Sequence, residues 1–196
     1  MNQRCCSTSP DDGFGFRRQL LLIVSRTGEQ RQRFRAVEWA KFLPTKIPLG
    51  RDIQVWDIYR DILSADVVIN APIAKHHSLA RLSLGLKNLL GVVAQPNQIH
   101  SNLGQRVADL ASIIRPTLTV VDAVRILMDH GPTGGSLNDV QQADTIIASH
   151  DFVAADARAA ELFDLEGADV PYIRAAADMG LGTMDLDGVR VEEITV

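Results

Sequence analysis

The chain has 196 residues, 46% of them apolar and 22% charged, a size and composition suited to one domain with a substantial core. Its 20 Lys and Arg against 24 Asp and Glu give a net charge of −4, which argues against a nucleic-acid partner drawn in by overall basicity. No apolar run reaches spanning length, which argues against a transmembrane protein.

Residues 1–35 read as a divergent or flexible N-terminal lead, polar over about the first 16, and residues 36–196 as a single α/β domain. Arg17-Arg18 and the apolar run after it look like the start of a twin-arginine export signal. The run is too short, and it leads into charged residues 29–35 with no small-residue cleavage site, so a cytoplasmic location is expected. The two cysteines, Cys5 and Cys6, are adjacent, a spacing at which a mutual disulfide is strained. No Cys-x-x-Cys occurs, so neither a zinc knuckle nor a cysteine-ligated iron–sulfur cluster is encoded, and no other cofactor is specified.

Residues 19–25 form a continuous apolar run suited to a buried strand, and 34–41 suggest a short helical face. Pro44, Pro48 and Gly50 mark a loop. Residues 53–56 read as strand and 58–64 as helix, followed by a strand at 67–69. From His77 to Leu90 a helical projection gathers Leu79, Leu82, Leu86, Leu89 and Leu90 on one arc, with His77, Arg81, Gly85 and Asn88 opposite. Residues 91–98 should be irregular. Ser101 or Asn102 can cap a helix whose stripe is Leu103, Val107, Leu110 and Ile114, stopped by Arg115-Pro116.

The β-branched run 117–121 predicts a buried strand ending at Asp122, then a short helix over 123–128 and a glycine-rich loop over 129–135. Residues 145–149 predict a strand, and Asp151 caps an alanine-rich helix over 152–163. Pro171 opens a helix that Gly180 ends, and 189–196 read as an edge strand. Strands alternating with helices argue for an α/β layered domain with a mainly parallel sheet flanked by helices.

Chemistry gathers where the strand ending at residue 69 meets a basic loop, as at the carboxyl edge of α/β sheets. Lys75, His76, His77 and Arg81 could hold a carboxylate or phosphate, with His77 or Lys75 as acid or base. Asp122 at a strand end, where α/β enzymes project catalytic or ligand carboxylates, is a catalytic candidate, and with Asp129, His130, Gly134 and Gly135 of the turn-rich loop it would form the opposite wall. His100, Asn102 and Arg106, with Asp109, make a further polar cluster that could bind a ligand or simply cap a helix. Lys87 alone reads as a snorkelling lysine and projects away from the His77–Arg81 arc. Asp156 lies in the alanine-rich helix, where a buried carboxylate needs a partner, with Lys75, Lys87 or Arg106 as candidates. The Gly-x-Ser-x-Gly elbow, the P-loop and the dinucleotide fingerprint do not occur.

The stretches INAPIAKHHSLARLSLGLKNLLGVV, IHSNLGQRVADLASIIRPTLTVVDAVRILMDHGPTGG and DTIIASHDFVAADARAAELF, with PYIRAAADMGLG, occur in order from Arg51 onward. Together they closely resemble the domain-of-unknown-function family 362, whose hallmark is Lys-x-His-Ser-Leu followed by Leu-Gly-Leu-Lys-Asn. The resemblance implies an α/β domain, and it raises Lys87 and Asn88 as ligand-binding candidates. It places this chain on the C-terminal part of the family domain, without the earlier βαβ units. Missing parallel strands would leave an uncovered sheet edge through which the chain could oligomerise. Some relatives carry ferredoxin-type modules, which implies redox chemistry or a redox partner; their cysteine motifs are not in this chain. The expected function is therefore an enzyme-like domain that binds a small anionic ligand or a metal complex of unspecified metal. A non-catalytic module that delivers a metal or docks on a redox protein, or an inactive truncated domain, is the alternative.

Overall fold

The computed structural model describes residues 20–24 and 39–194. Cys5, Cys6, Arg17-Arg18, the boundary at residue 35 and most of the helix expected over 34–41 lie outside them.

The main sheet is built on β7 (Leu118–Leu127). β4 (Val67–Ala71) and β5 (Ile73–His77) follow one another across Pro72, and both run parallel to β7. Ile69 faces Leu118, Asn70 faces Thr119 and Ile73 faces Asp122, so one register carries across the bend before shifting between Ile73 and Lys75, which faces Leu127. The Asp122 N–H donates to the Pro72 carbonyl across the bend, at 2.8 Å. β1 (Leu20–Val24) is antiparallel to β4, β6 (Arg81–Ser83) is antiparallel to β5, and β8 (Val140–Ser149) is antiparallel to β7. The expected parallel ladders are thus at the centre, and antiparallel strands complete a mixed sheet. β8, like β1 and β6, is paired on one side only among the described residues. β2 (Phe42–Lys46) and β3 (Val55–Tyr59) form a separate ribbon.

The helices are α1 (Arg60–Leu63), α2 (Gly85–Asn88), α3 (Leu103–Ala111), α4 (Phe152–Glu161) and α5 (Pro171–Asp178). The stripe Leu103, Val107, Leu110 and Ile114 is buried, as its spacing predicts. Ala155, Ala157, Ala159 and Ala160 let α4 lie close against β7 and β8. Asp151 caps α4 through the amides of Val153 and Ala154, and Gly180, at φ 67°, follows α5.

Several expectations are corrected. Pro44 sits inside β2 rather than in a loop. A 3₁₀ helix (Pro96–Asn102) occupies part of the region expected to be irregular. The predicted helix over 123–128 is the second half of β7: Val121 and Ala123 are buried while Asp122 and Val124 are exposed, a period of two. A bulge then resets the phase, because Ala143 and Asp144, the latter at φ 46°, oppose Val124 alone. Residues 189–194 form no strand.

The helix predicted from His77 to Leu90 is instead a hairpin followed by one helical turn. Leu79 is 69% exposed at the turn and Arg81 has φ 65°, neither of which a core-facing helix would accept. Residues 82–86 are all buried, a continuous run rather than the one-sided stripe of a surface helix.

Two buried polar side chains meet burial in opposite ways. The Asp109 carboxylate on α3 accepts the N–H groups of Arg51, Asp52 and Ile53 at 3.0, 2.8 and 2.9 Å, fixing the turn before β3. The Thr119 hydroxyl is buried with no hydrogen-bond partner among the described residues. Replacing Asp109 by Ala strands three amide donors and is expected to cost about 3 kcal/mol in denaturant unfolding. Thr119→Val keeps the shape and loses only an unpaired hydroxyl. Its stability should stay within about 0.5 kcal/mol of the wild type or rise, and a loss above about 1 kcal/mol would show that the hydroxyl is bonded.

Candidate functional site

Strand alternation puts Lys75 and His77 on one side of β5 and His76 on the other. His77 is 5% exposed, and its Nδ1 accepts the N–H groups of Leu79 at 3.1 Å and Ala80 at 3.3 Å, closing the hairpin turn. With Nδ1 accepting, the neutral ring carries its hydrogen on Nε2. The His100 ring stands edge-on to it, with centroids 6.3 Å apart.

Lys87 joins this group from α2. Burial lowers the pKa of its ammonium to about 8, with the Lys75 charge acting in the same direction. Burial also lowers Lys75, and it lowers His100 with help from Lys87. His77 is lowered to about 4, first by burial and then by the charges of Lys87, His100, Lys75 and His76. No carboxylate contributes to any of these four shifts. Lys75, His77, Lys87 and His100 therefore form a partly buried basic cluster whose members disfavour one another's charge. The helical projection, which sent Lys87 away from His77, is overturned because the hairpin between them redirects the chain.

A turn of four residues cannot orient itself, and α2 is held from outside. Asp156 on α4 is fully buried, and its Oδ1 and Oδ2 accept the N–H groups of Gly85 and Leu86 at 2.7 and 2.8 Å. The Asn70 amide donates to the Gly85 carbonyl at 2.8 Å, and the Asn88 amide donates to Asn70 Oδ1 at 2.6 Å. A Cβ on Gly85 would lie 2.8 Å from Asp156 Oδ1 and 2.9 Å from Thr119 Cγ2, so only glycine allows this approach. Asp156 thus meets backbone amides and not the expected cation. Burial raises its pKa to about 7 against the opposing pull of those amides. Asn88 is a scaffold residue, and Asn70, its partner, was missed; an asparagine inside the apolar run 67–71 was the available signal.

The other candidates lie elsewhere. His76 accepts the Gly131 N–H at 3.1 Å and stands 3.8 Å from the Asp129 carboxylate, so the glycine loop meets β5 through His76. His130 is exposed and pairs with Asp139 at 3.2 Å. Gly134 and Gly135 take φ 142° and 83°; Asp129 accepts the His130 N–H within the loop, and just after it Asp139 accepts the Ser136 N–H.

Asp122 is exposed in mid-strand, its Oδ1 accepting the Val124 N–H at the bulge, so it is not a strand-end carboxylate. Arg81 turns to Asp169, 3.9 Å away. Asn102 and Arg106 both bind Asp52, at 3.1 and 2.6 Å, tying down the turn after Gly50. Among the described residues no three His, Cys, Asp or Glu side chains are grouped to hold a metal ion. No helix among them is long and apolar enough to cross a membrane.

Lys75, His77, Lys87 and Asn88 are thus gathered around one hairpin and one turn, and comparison with known sequences shows the family. The family described as "Domain of unknown function (DUF362)" matches residues 27–161. The chain belongs to this family. The family match begins inside the stretch read as a lead and includes all four members of the basic cluster. A thylakoid-associated protein of the cyanobacterium Synechocystis sp. is similar, 28% identical over 131 residues. That alignment takes in 62% of this chain and 40% of the relative, so the chain spans well under half of that family member.

Protonating His77 requires giving up two backbone acceptor bonds beside two ammonium groups. Its folded pKa lies below the unfolded value of about 6.5, so the unfolded chain binds the extra proton. Stability contributed by neutral His77 is complete above pH 6.5 and is lost as pH falls toward 4, a loss of about 3 kcal/mol. Unfolding measured from pH 7 to 4 should fall more steeply for the wild type than for His77→Gln; equal slopes would contradict this.

Proposed function

We propose that this domain binds a small anionic ligand, a carboxylate or phosphate, between Lys75, His77, Lys87 and His100. The observation that carries the reading is the basic cluster itself: two partly desolvated ammonium groups and two imidazoles, with no carboxylate among the charges that shift them. Desolvating like charges together is unfavourable, and an anion placed among them reverses the sign of that interaction. His77, locked as the Nε2–H tautomer, supplies a neutral donor beside the two cations.

An enzyme-like role fits the same residues. With a pKa near 8, Lys87 can give or take a proton close to neutral pH, which an ordinary surface lysine cannot. A metal could enter as part of an anionic complex. The apolar run after Arg17-Arg18 serves as β1 on β4, which supports reading it as part of the fold in a cytoplasmic protein.

Inorganic phosphate is the first probe. Calorimetric titration at pH 7 should show binding that weakens as pH rises through 8, because Lys87 loses its charge there. Lys87→Ala should lower the affinity at least about tenfold, or about 1.4 kcal/mol. Arg81→Ala should leave it unchanged, since that side chain is turned to Asp169. Failure of phosphate and of di- and tricarboxylates to bind the wild type, or equal losses in both variants, would refute the reading.

A further inference from the structure

We propose that Asp156 is the positioning residue of the anion site: through the two leading amides of α2 it sets where Lys87 stands relative to Lys75, His77 and His100. This inference rests on the cluster being the ligand site.

Four observations lead to it. First, both Asp156 oxygens are engaged by the amides of Gly85 and Leu86, and neither meets a cation. The carboxylate therefore acts on the site through the backbone and leaves the lysines uncompensated. Second, α2 is a single turn, and its other bonds, Asn70 to Gly85 and Asn88 to Asn70, fix the same segment from the sheet side. Third, each of the other α2 side chains is already committed: Gly85 has none, Leu86 is buried in the core, and Asn88 is tied to Asn70. Lys87 alone is left to reach the cluster, so the orientation of the turn determines its place. Fourth, the clearance between Gly85 and Asp156 leaves no room for the turn to approach more closely.

The ionisable group facing Asp156 from the neighbouring helix is Tyr172 of α5. It is fully buried, donates to the Leu82 carbonyl at 3.1 Å, and is held protonated by burial and by the Asp156 charge. No basic side chain contributes to the Asp156 shift, so its charge is balanced by dipoles alone, and a proton is taken up near neutral pH. Protonation or amidation removes the negative charge that both amides meet while leaving the size of the side chain nearly unchanged, which gives a direct handle on the proposal.

The test is the titration of the Lys87 side chain, followed by NMR in the wild type and in Asp156→Asn, together with phosphate affinity. In Asp156→Asn one amide donor faces an NH₂ group, the turn shifts, and Lys87 moves toward solvent. Its pKa should rise by at least one unit from about 8, and phosphate affinity should fall about tenfold. A folded Asp156→Asn protein whose Lys87 titrates as in the wild type overturns the proposal.

If that variant does not fold, the wild type decides. The Gly85 and Leu86 amide resonances should titrate together, and the Lys87 side chain should show a step at the same midpoint; no such step overturns the proposal. If the wild type binds no anion yet Asp156→Asn still moves the Lys87 titration, the positioning role stands and the ligand reading fails.

Discussion

The bonds from Gly85 and Leu86 to Asp156 are the constraint on which the site depends. A buried carboxylate usually needs a cation, and in this chain it is satisfied by backbone N–H groups instead. Asp109 follows the same rule with three amides of the turn before β3. Both fully buried acids are thus spent on shaping the main chain. Neither acid is paired with Lys75 or Lys87, whose ammonium groups are disfavoured by burial.

The electrostatics follow from that division. Lys75 and Lys87 come from different elements, β5 and α2, and are brought together by a hairpin and a turn that neither residue stabilises. Their mutual repulsion is tolerated because the surrounding packing is secured by other groups: Leu82, Leu84 and Leu86 in the core, the Asn70–Asn88 pair, and the Tyr172 bond to the Leu82 carbonyl. His77 serves both sides of this arrangement. Its Nδ1 fastens the hairpin, which keeps the ring neutral and leaves its N–H as a donor. Fold and site therefore share one imidazole, and protonating it damages both.

The sequence revealed the family and the basic residues but not their geometry. The α3 stripe, the Asp151 cap and the strand at 145–149 were legible because each depends on neighbours a few residues apart. The stretch from His77 to Leu90 was misread because five leucines at helical spacing also suit a hairpin followed by one turn. Arg81 at positive φ and the exposed Leu79 decide between them, and neither leaves a mark in the residue pattern. Asp122 was misplaced for a similar reason. The break in alternation near Val124 reads as the end of a strand, whereas a bulge opposite Ala143 and Asp144 carries the strand onward. The partner of Asp156 could not be read at all, since backbone amides contributed by a distant turn have no residue type.

The depressed pKa of Lys87 has a consequence for reactivity. At pH 7 an amine titrating near 8 is about one-tenth unprotonated, against roughly one part in three thousand for an ordinary lysine at 10.5. A neutral amine carries the lone pair that attacks carbonyl, acyl and carbon dioxide carbon. The desolvation that disfavours the charge of this side chain thus leaves about a tenth of it with that lone pair free at neutral pH.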